Sequence, residues 1–239
     1  MNHMNRTDRT DSAGKRTHDL VVLDMAGTTV ADGGLVEQAF TAAAERLGED
    51  PATMIDHVRA TMGESKISVF RHLLGGDETR ARQANLAFET AYGELVSDGR
   101  IAPVPGAAEA IAELKAQGRR VVLTTGFARV TQDAILDALG WRDTVELTLC
   151  PADAGGRGRP YPDMVLAALL RTGAVDDVRR IAVAGDTSYD MLSGVRSGAG
   201  IVAGVLTGAH DEAALKEHGA THVLASVAEL PALITESEA

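Results

Sequence analysis

The chain of 239 residues contains little cysteine, fewer basic than acidic residues and no long apolar run. Its single cysteine, Cys150, excludes an intramolecular disulfide and favours a reducing cytoplasm. The formal net charge of -11 argues against a nucleic-acid surface, because such a surface needs a basic stripe. No apolar run approaches the ~18 residues that a membrane span requires. These absences favour a soluble globular protein, in which a local positive pocket can still bind an anion.

The amino-terminal segment, residues 1–18, lacks the apolar stretch that a secretory signal contains. Because this segment is polar throughout, we expect it to form a disordered tail. An early start codon is one source of such a tail, since Met4 is an alternative start.

Short aliphatic runs alternate with longer stretches of helical periodicity along most of the chain. This alternation predicts parallel βα units and a Rossmann-like, three-layer α/β core. The unbroken runs LVVL and IAVA are typical of strands that are buried on both faces. The predicted strands are residues 20–23, 120–123, 145–149, 181–184, 201–206 and 223–224, and the predicted helices include 107–117, 131–139, 162–172 and 213–218.

One interval interrupts the alternation. Residues 34–102 carry helical patterns without a convincing strand, and the turn-rich sequence APVPG follows. We therefore predict an all-helical cap over residues 34–102, inserted into an α/β core of residues 19–33 and 103–239. A cap beside a catalytic core must close to react and open to exchange ligands, with the flanking linkers as hinges.

Carboxylates follow two of the predicted strands. Asp24 ends the first strand, and Asp186 ends a later one with Asp190 four residues on. Ligands of open α/β sheets bind at this edge, and oxygen ligands suit a hard cation such as Mg²⁺. A cation between Asp24 and Asp186 would offset the repulsion between an anionic nucleophile and a phosphoryl group.

Two further segments carry groups that bind anions. Thr125 and Gly126, in LTTG, open a helix with a hydroxyl and backbone N–H groups. Arg159, in GRGRPYPD, offers a guanidinium that can bridge phosphoryl oxygens. A single aspartate at a strand end is usually a cap or turn residue, but four such segments together predict phosphoryl transfer.

The order and spelling of these segments resemble the haloacid dehalogenase superfamily of aspartate-nucleophile hydrolases, over residues 19–235. The resemblance implies an aspartyl-phosphate intermediate that water hydrolyses, with Mg²⁺ as the cofactor. It also implies residue roles: Asp24 as nucleophile and metal ligand, the Ala26 carbonyl and Asp186 as metal ligands, Asp190 as a residue that supports those ligands, and Thr28, Thr125, Gly126 and Arg159 as phosphate-binding residues.

Ala26 stands where most phosphatases of this superfamily have a second aspartate, which protonates the leaving group. General-acid catalysis of that kind is worth about 10²–10⁴-fold. The spelling DxAGTT, with Arg159 in place of the usual lysine, resembles the phosphonatase-like branch and phosphonoacetaldehyde hydrolase. That resemblance implies cleavage of a C–P bond, in which a cap lysine forms an imine and the carbon leaving group departs as an enamine.

The cap offers such a lysine in MGESK, residues 62–66, which resembles the cap motif of the branch. On one helix Met62, Lys66, Val69 and Leu73 would fall within about one sixth of a turn, unless Gly63 delays the helix start. Burial on this apolar face would leave the neutral amine that an imine requires. The alternative is a lysine that extends to solvent from a helix edge. The resemblance also assigns a substrate contact to Met62.

Three positions depart from the phosphonatase pattern: Val69 replaces a histidine, Phe127 a tyrosine and Gly34 a cysteine. These changes favour a related 2-oxoalkylphosphonate over strict specificity for phosphonoacetaldehyde. Three alternatives stay open: a phosphatase of a small phosphorylated metabolite that does not use Lys66, a dehalogenase that needs no metal, and a non-catalytic phospho-ligand binder. The resemblance also implies a homodimer through the cap.

Overall fold

The computed structural model of the chain describes residues 17–238, so residues 1–16 of the predicted tail lie outside the described part. Eight strands are present in that part. They are β1 (Leu20–Asp24), β2 (Val30–Ala31), β3 (Ala102–Pro103), β4 (Arg120–Thr124), β5 (Leu147–Leu149), β6 (Ile181–Gly185), β7 (Ile201–Val205) and β8 (His222–Leu224).

The helices of the described part fall into a group that follows β2 and a group that alternates with the later strands. They are α1 (Leu35–Arg46), α2 (Ile55–Ala60), α3 (Lys66–Leu73), α4 (Glu78–Ser97), α5 (Ala107–Ala116), α6 (Arg129–Leu139), α7 (Asp163–Thr172), α8 (Ser188–Ser197), α9 (Glu212–Glu217) and α10 (Leu230–Glu236). None of them has both the length and the apolar character of a membrane span.

Six strands form one parallel sheet in the order β5-β4-β1-β6-β7-β8. Successive side chains of β1 point to opposite faces, as the geometry of a strand requires. Val21 and Leu23 join the apolar cluster that contains Ile111 of α5, whereas Val22 packs in the cluster of Val165 of α7. Helices therefore cover both faces, and the predicted Rossmann-like α/β fold with an inserted helical cap is confirmed.

Helices α1 to α4 lie between β2 and β3, and aromatic contacts join three of them. The ring centroid of Phe40 on α1 lies 4.8 Å from those of both Phe70 on α3 and Phe88 on α4. The two segments that connect these helices to the sheet pair as a short antiparallel ribbon, β2 with β3. The sequence did not predict this ribbon, because two-residue strands carry no periodicity.

The start of the described chain contacts its end. The backbone N–H groups of Thr17 and His18 donate to Glu238 Oε1 at 2.8 and 3.2 Å, and Arg119 forms an ion pair with the same carboxylate. These contacts place Thr17 and His18 with the core rather than with the predicted tail. The predicted strand at 145–149 is also too long, because only Leu147–Leu149 pair with β4.

Candidate active site

The carboxyl end of β1 carries Asp24, whose buried side chain lies beside the guanidinium of Arg159. Arg159 Nη2 donates to Asp24 Oδ1 at 2.7 Å, and its Nε donates to Asp190 Oδ1 at 2.7 Å. Nη2 also donates to Thr124 Oγ1 at 2.7 Å, at the end of the neighbouring strand β4. The arginine that the sequence assigns to phosphate therefore also holds two carboxylates in place.

Asp186 follows β6 and lies in the same group. Its Oδ1 accepts a hydrogen bond from Thr28 Oγ1 at 3.2 Å, and its Oδ2 accepts one from the Ala209 N–H at 2.8 Å. Gly27 leaves room for this carboxylate, since a Cβ at that position would lie 2.4 Å from Asp186 Oδ2. Thr28, predicted as a phosphate-binding residue, is fully buried, and its hydroxyl donates to Asp186 in this structure.

Asp190 lies in the first turn of α8, where it forms a capping box with Thr187. The Thr187 N–H and hydroxyl both donate to Asp190 Oδ2, while Asp190 Oδ1 accepts from Arg159. Both oxygens of Asp190 therefore have protein partners. This geometry fits the predicted role of Asp190 as a support for the metal ligands.

Oxygen atoms of Asp24, Asp186 and Asp190 lie within 4.8 Å of one another, and all three residues are buried. Burial raises the pKa of Asp24 well above its ordinary value; Arg159 opposes this change, while Asp190 and Asp186 reinforce it. Burial and the Asp190 carboxylate likewise raise the pKa of Asp186. Three close carboxylates with one arginine have surplus negative charge and hard oxygen donors, so the residues fit a divalent cation such as Mg²⁺.

The loop between β4 and α6 supplies the predicted anion-binding groups. Thr125 and Gly126 both line the cavity that contains Asp24 and Arg159. The Thr125 N–H donates to the Leu149 carbonyl at 3.0 Å, which fixes the loop to β5. The sheet edge therefore brings a carboxylate, a guanidinium and a threonine to one cavity.

Lys66 begins α3, and its side chain is buried with a relative exposure of 7%. Its Nζ lies 5.4 Å from the ring centroid of Phe127 and 5.9 Å from that of Phe40, and donates weakly to the Glu64 carbonyl at 3.5 Å. Burial lowers the pKa of Lys66 to about 8, although the Asp32 and Asp24 carboxylates oppose this change. The lysine is buried, as the apolar face predicted.

The helix begins at Lys66 rather than at Met62, so the delayed start is the correct alternative. Gly63 has a φ of 94°, in the left-handed region that favours glycine, which ends any helical continuity through this position. Lys66 and Val69 therefore share the inner face of α3, while Met62 reaches the cavity from the preceding turn.

A cavity of about 280 Å³ joins the two parts of the site. Thr28 and Asp190 do not line it; they support residues that do. The predicted site residues that line the cavity are Asp24, Ala26, Met62, Lys66, Thr125, Gly126, Arg159 and Asp186.

Glycines allow the cap to lie directly on the core. A Cβ on Gly63 would lie 2.4 Å from Thr187 Oγ1, and a Cβ on Gly126 would lie 3.0 Å from the Glu64 carbonyl oxygen. Both distances are too short for a side chain to fit without a shift. The turn before α3 is therefore in contact with the loops after β4 and β6, and the structure has a closed cap.

The sequence missed two parts of the cavity wall. One is formed by Asp32 and Glu37 near the start of α1 and the other by the loop after β7, and the sequence patterns assign no chemical role to either. In that loop Thr207 Oγ1 donates to the Gly27 carbonyl at 2.6 Å, and Ala209 holds Asp186. The sequence does contain a pattern that indicates the loop after β7, because LTG at residues 206–208 follows an aliphatic run as LTTG does.

Comparison with known proteins decides the family. The sequence model of the family of haloacid dehalogenase-like hydrolases matches residues 18–198 of this chain. The chain belongs to this family. It is 30% identical, over 200 residues, to a probable phosphatase IndB from Dickeya dadantii, with 82% of this chain and 85% of that protein covered. It is 28% identical to a phosphonoacetaldehyde hydrolase from Bacteroides fragilis, with 90% and 95% covered.

Solved structures agree with this assignment. A phosphonoacetaldehyde hydrolase-like protein from Oleispira antarctica is 25% identical with a TM-score of 0.79, and 99% of this chain and 97% of that chain are covered. A hydrolase from Pseudomonas syringae, 24% identical, shares the fold with a TM-score of 0.81 and coverage of 92% and 99%. The predicted family and the predicted hydrolase class are confirmed. The relatives of this chain include proteins named as phosphatases and proteins named as phosphonoacetaldehyde hydrolases.

Proposed function

We propose that this hydrolase cleaves the C–P bond of phosphonoacetaldehyde or a related 2-oxoalkylphosphonate, with Mg²⁺ as cofactor. The observation that carries the proposal is the buried Lys66, whose pKa is lowered to about 8 and which shares one cavity with Asp24. The relatives named phosphonoacetaldehyde hydrolase support it. A cytoplasmic location and a homodimer through the cap stay predictions.

The phosphonate group would bind at the sheet end of the cavity, against Arg159 and the loop of Thr125 and Gly126. Asp24 then attacks phosphorus and forms an aspartyl-phosphate, which water hydrolyses. When bound among Asp24, Asp186 and the Ala26 carbonyl, Mg²⁺ supplies positive charge that offsets the repulsion between the two anions. Arg159 already contacts Asp24 and can hold that carboxylate during the attack.

The carbon end of the substrate would extend to Lys66. A lysine with a pKa of about 8 is roughly one-tenth neutral at pH 7, whereas an ordinary lysine is neutral in roughly one molecule in 3,000. The neutral amine forms an imine with the carbonyl carbon, and the iminium accepts the electron pair of the breaking C–P bond. This route explains Ala26, because a departing enamine needs no acid at that position.

A phosphatase of a small phosphorylated metabolite is the second candidate. The similarity to IndB favours it, and ester hydrolysis needs Asp24, Arg159 and the cation but not Lys66. Ala26 opposes it for poor leaving groups, since a methyl group cannot protonate an alkoxide. A phosphatase would also have no use for a buried lysine, which costs stability.

The two candidates differ in their dependence on Lys66. We would measure phosphate release, with Mg²⁺ present, from phosphonoacetaldehyde, from its 2-oxopropyl analogue and from p-nitrophenyl phosphate. The Lys66→Arg variant keeps the charge but cannot form a stable imine. We expect it to lose phosphonate cleavage by ~10³-fold or more, while ester cleavage stays within about threefold. Full phosphonate turnover by Lys66→Arg would contradict the imine route, and ester cleavage by the wild type without phosphonate cleavage would support the phosphatase.

A further inference from the structure

Asp32 lies in the linker between β2 and α1, at the cap end of the cavity. Its Oδ2 accepts from the Gly34 N–H at 3.0 Å and its Oδ1 from the Val36 N–H at 3.1 Å. These two bonds fix the carboxylate at the start of α1. Asp32 and Lys66 line the same cavity, and they come from different elements of the chain.

Lys66 forms no ion pair among residues 17–238, although it is buried. Besides burial, the charges that act most on the pKa of Lys66 are those of Asp32, Asp24, Arg159 and Asp186. Three of these belong to the sheet end, where Arg159 pairs with Asp24 and where Asp186 accepts from Thr28 and Ala209. At the cap end Glu64 also interacts with Lys66 but does not line the cavity, so Asp32 is the cap-end carboxylate that both lines the cavity and interacts with the lysine.

Other polar groups near Asp32 cannot take its place. Glu37 also lines the cavity, but both of its oxygens accept from Arg59 at 2.9 Å. Tyr92 has a fully buried hydroxyl without a hydrogen-bond partner in the described chain, and burial together with Asp32 and Asp24 raises its pKa. A phenol held neutral in this way is no base at ordinary pH.

The neighbouring positions are apolar. Val69 and Phe127, each with a relative exposure of 2%, occupy the inner face of α3 and the loop after β4. Imine formation nevertheless needs a group that takes protons from the amine and returns one to the oxygen that leaves. We propose that Asp32 is this general base and acid at Lys66, an inference that rests on the proposed function.

The step balances without any further reactant. Asp32 takes one proton from the Lys66 ammonium, and the neutral amine adds to the carbonyl carbon. A second proton moves from nitrogen to the new alkoxide and gives a carbinolamine. The Asp32 carboxyl then returns its proton to the hydroxyl, the C–O bond breaks, and water leaves. Of the three ammonium protons, two depart in that water and one stays on the iminium nitrogen.

Burial raises the pKa of Asp32, and its two backbone hydrogen bonds, Lys66 and Glu37 modify this effect. A carboxyl group with a raised pKa and an amine with a lowered one are closer in proton affinity than the free side chains are. Transfer between them is correspondingly easier.

The test uses acetaldehyde with saturating cyanoborohydride, which alkylates Lys66 whether or not phosphonates are substrates. Peptide mass analysis gives the rate at Lys66 against pH, with the exposed Lys216 as an internal reference. Asp32→Asn retains an oxygen acceptor for the start of α1. Glu37→Gln is the matched control, since it removes another carboxylate of the same cavity wall.

We expect Asp32→Asn to lower the maximal rate at Lys66 by ~10²-fold or more and to shift its pH midpoint downwards, because a negative charge is lost. Glu37→Gln, Lys216 and the cleavage of p-nitrophenyl phosphate by Asp32→Asn should stay near wild type. A downward midpoint with an unchanged maximum would show that Asp32 acts only by charge, and loss of p-nitrophenyl phosphate cleavage would show a structural role. Either result overturns the proposal. If Asp32→Asn behaves as expected but no phosphonate releases phosphate, only the proposed function fails.

Discussion

At the sheet end of the cavity, charged side chains are paired with one another, whereas Lys66 at the cap end forms no ion pair among residues 17–238. Arg159 joins Asp24 to Asp190, and Asp186 accepts two hydrogen bonds. At the other end, Lys66 Nζ contacts the Glu64 carbonyl at 3.5 Å and the rings of Phe127 and Phe40. The two ends lie in one cavity, but the buried carboxylates Asp24 and Asp190 are ion-paired whereas the buried amine of Lys66 is not.

This difference separates the sheet-end side chains, which hold one another in place, from Lys66, whose amine is free to react with a substrate. A paired buried charge is held in one geometry, which suits the binding of a phosphoryl group whose shape does not vary. An unpaired buried amine is costly, and such a group usually persists where function needs it. We infer that the amine of Lys66 has no ion-pair partner among residues 17–238 because it reacts with the carbonyl carbon of the substrate.

The largest expected effect is at the paired end. Asp24→Asn should lower phosphate release from every substrate by ~10⁴-fold or more, because the amide cannot attack phosphorus. The same variant should still form a borohydride-reducible adduct at Lys66, since imine formation does not use Asp24. Retention of more than about a tenth of wild-type phosphate release would separate Asp24 from the chemistry.

Removal of the buried Arg159 guanidinium should destabilise the sheet end. Arg159→Met leaves Asp24 and Asp190 without their partner, and we expect the free energy of unfolding to fall by about 3–5 kcal/mol. Urea denaturation without metal measures this loss. Arg157→Met is the matched control, because its pair with Asp163 is exposed and should contribute less than about 1 kcal/mol. Equal effects of the two variants would refute the contrast.

At the cap end, loss of a charge should stabilise the protein. Because the folded pKa of Lys66 is about 8 against 10.5 in the unfolded chain, the ammonium form is disfavoured in the folded state. Lys66→Met should therefore raise the free energy of unfolding at pH 7 by up to roughly 3 kcal/mol.

The pH dependence fixes the sign of this effect. The penalty is present in full below pH 8, falls as the pH rises from 8 towards 10.5, and disappears above 10.5, because both states of wild type are then neutral at Lys66. Denaturation curves of the two proteins should converge over that range. A difference that is independent of pH, or a less stable variant at pH 7, would contradict a buried, uncompensated lysine.

The smallest effect concerns the contact between the two ends. A Cβ at Gly126 would lie 3.0 Å from the Glu64 carbonyl oxygen, so Gly126→Ala should hinder closure and lower kcat/KM about tenfold. Gly93→Ala, within α4 and with open space around it, is the control and should keep full activity. Unchanged kinetics in Gly126→Ala would mean that the closed contact does not matter for turnover.

The sequence predicted the paired end better than the unpaired one. Asp24, Asp186 and Arg159 follow aliphatic strands or precede a proline-started helix, so local patterns indicate their positions at the edge of the sheet. Lys66 was indicated by the resemblance of MGESK to the cap motif of the phosphonatase branch, and the apolar helical face predicted its burial. Asp32 was missed, since an aspartate among glycines has the pattern of a turn, and its role depends on how the cap folds back. The bond between Arg159 and Asp190 likewise joins residues from separate loops, which no periodicity reveals.

In the proposed reaction, Lys66 reacts with the carbon end of a substrate whose phosphorus end lies at Asp24. Borohydride reduction of the enzyme with phosphonoacetaldehyde or its 2-oxopropyl analogue, followed by peptide mass mapping, tests it most directly. We expect a covalent adduct on Lys66 with these compounds and no adduct in Lys66→Arg. An unmodified Lys66 during rapid phosphate release from the same compounds would contradict it.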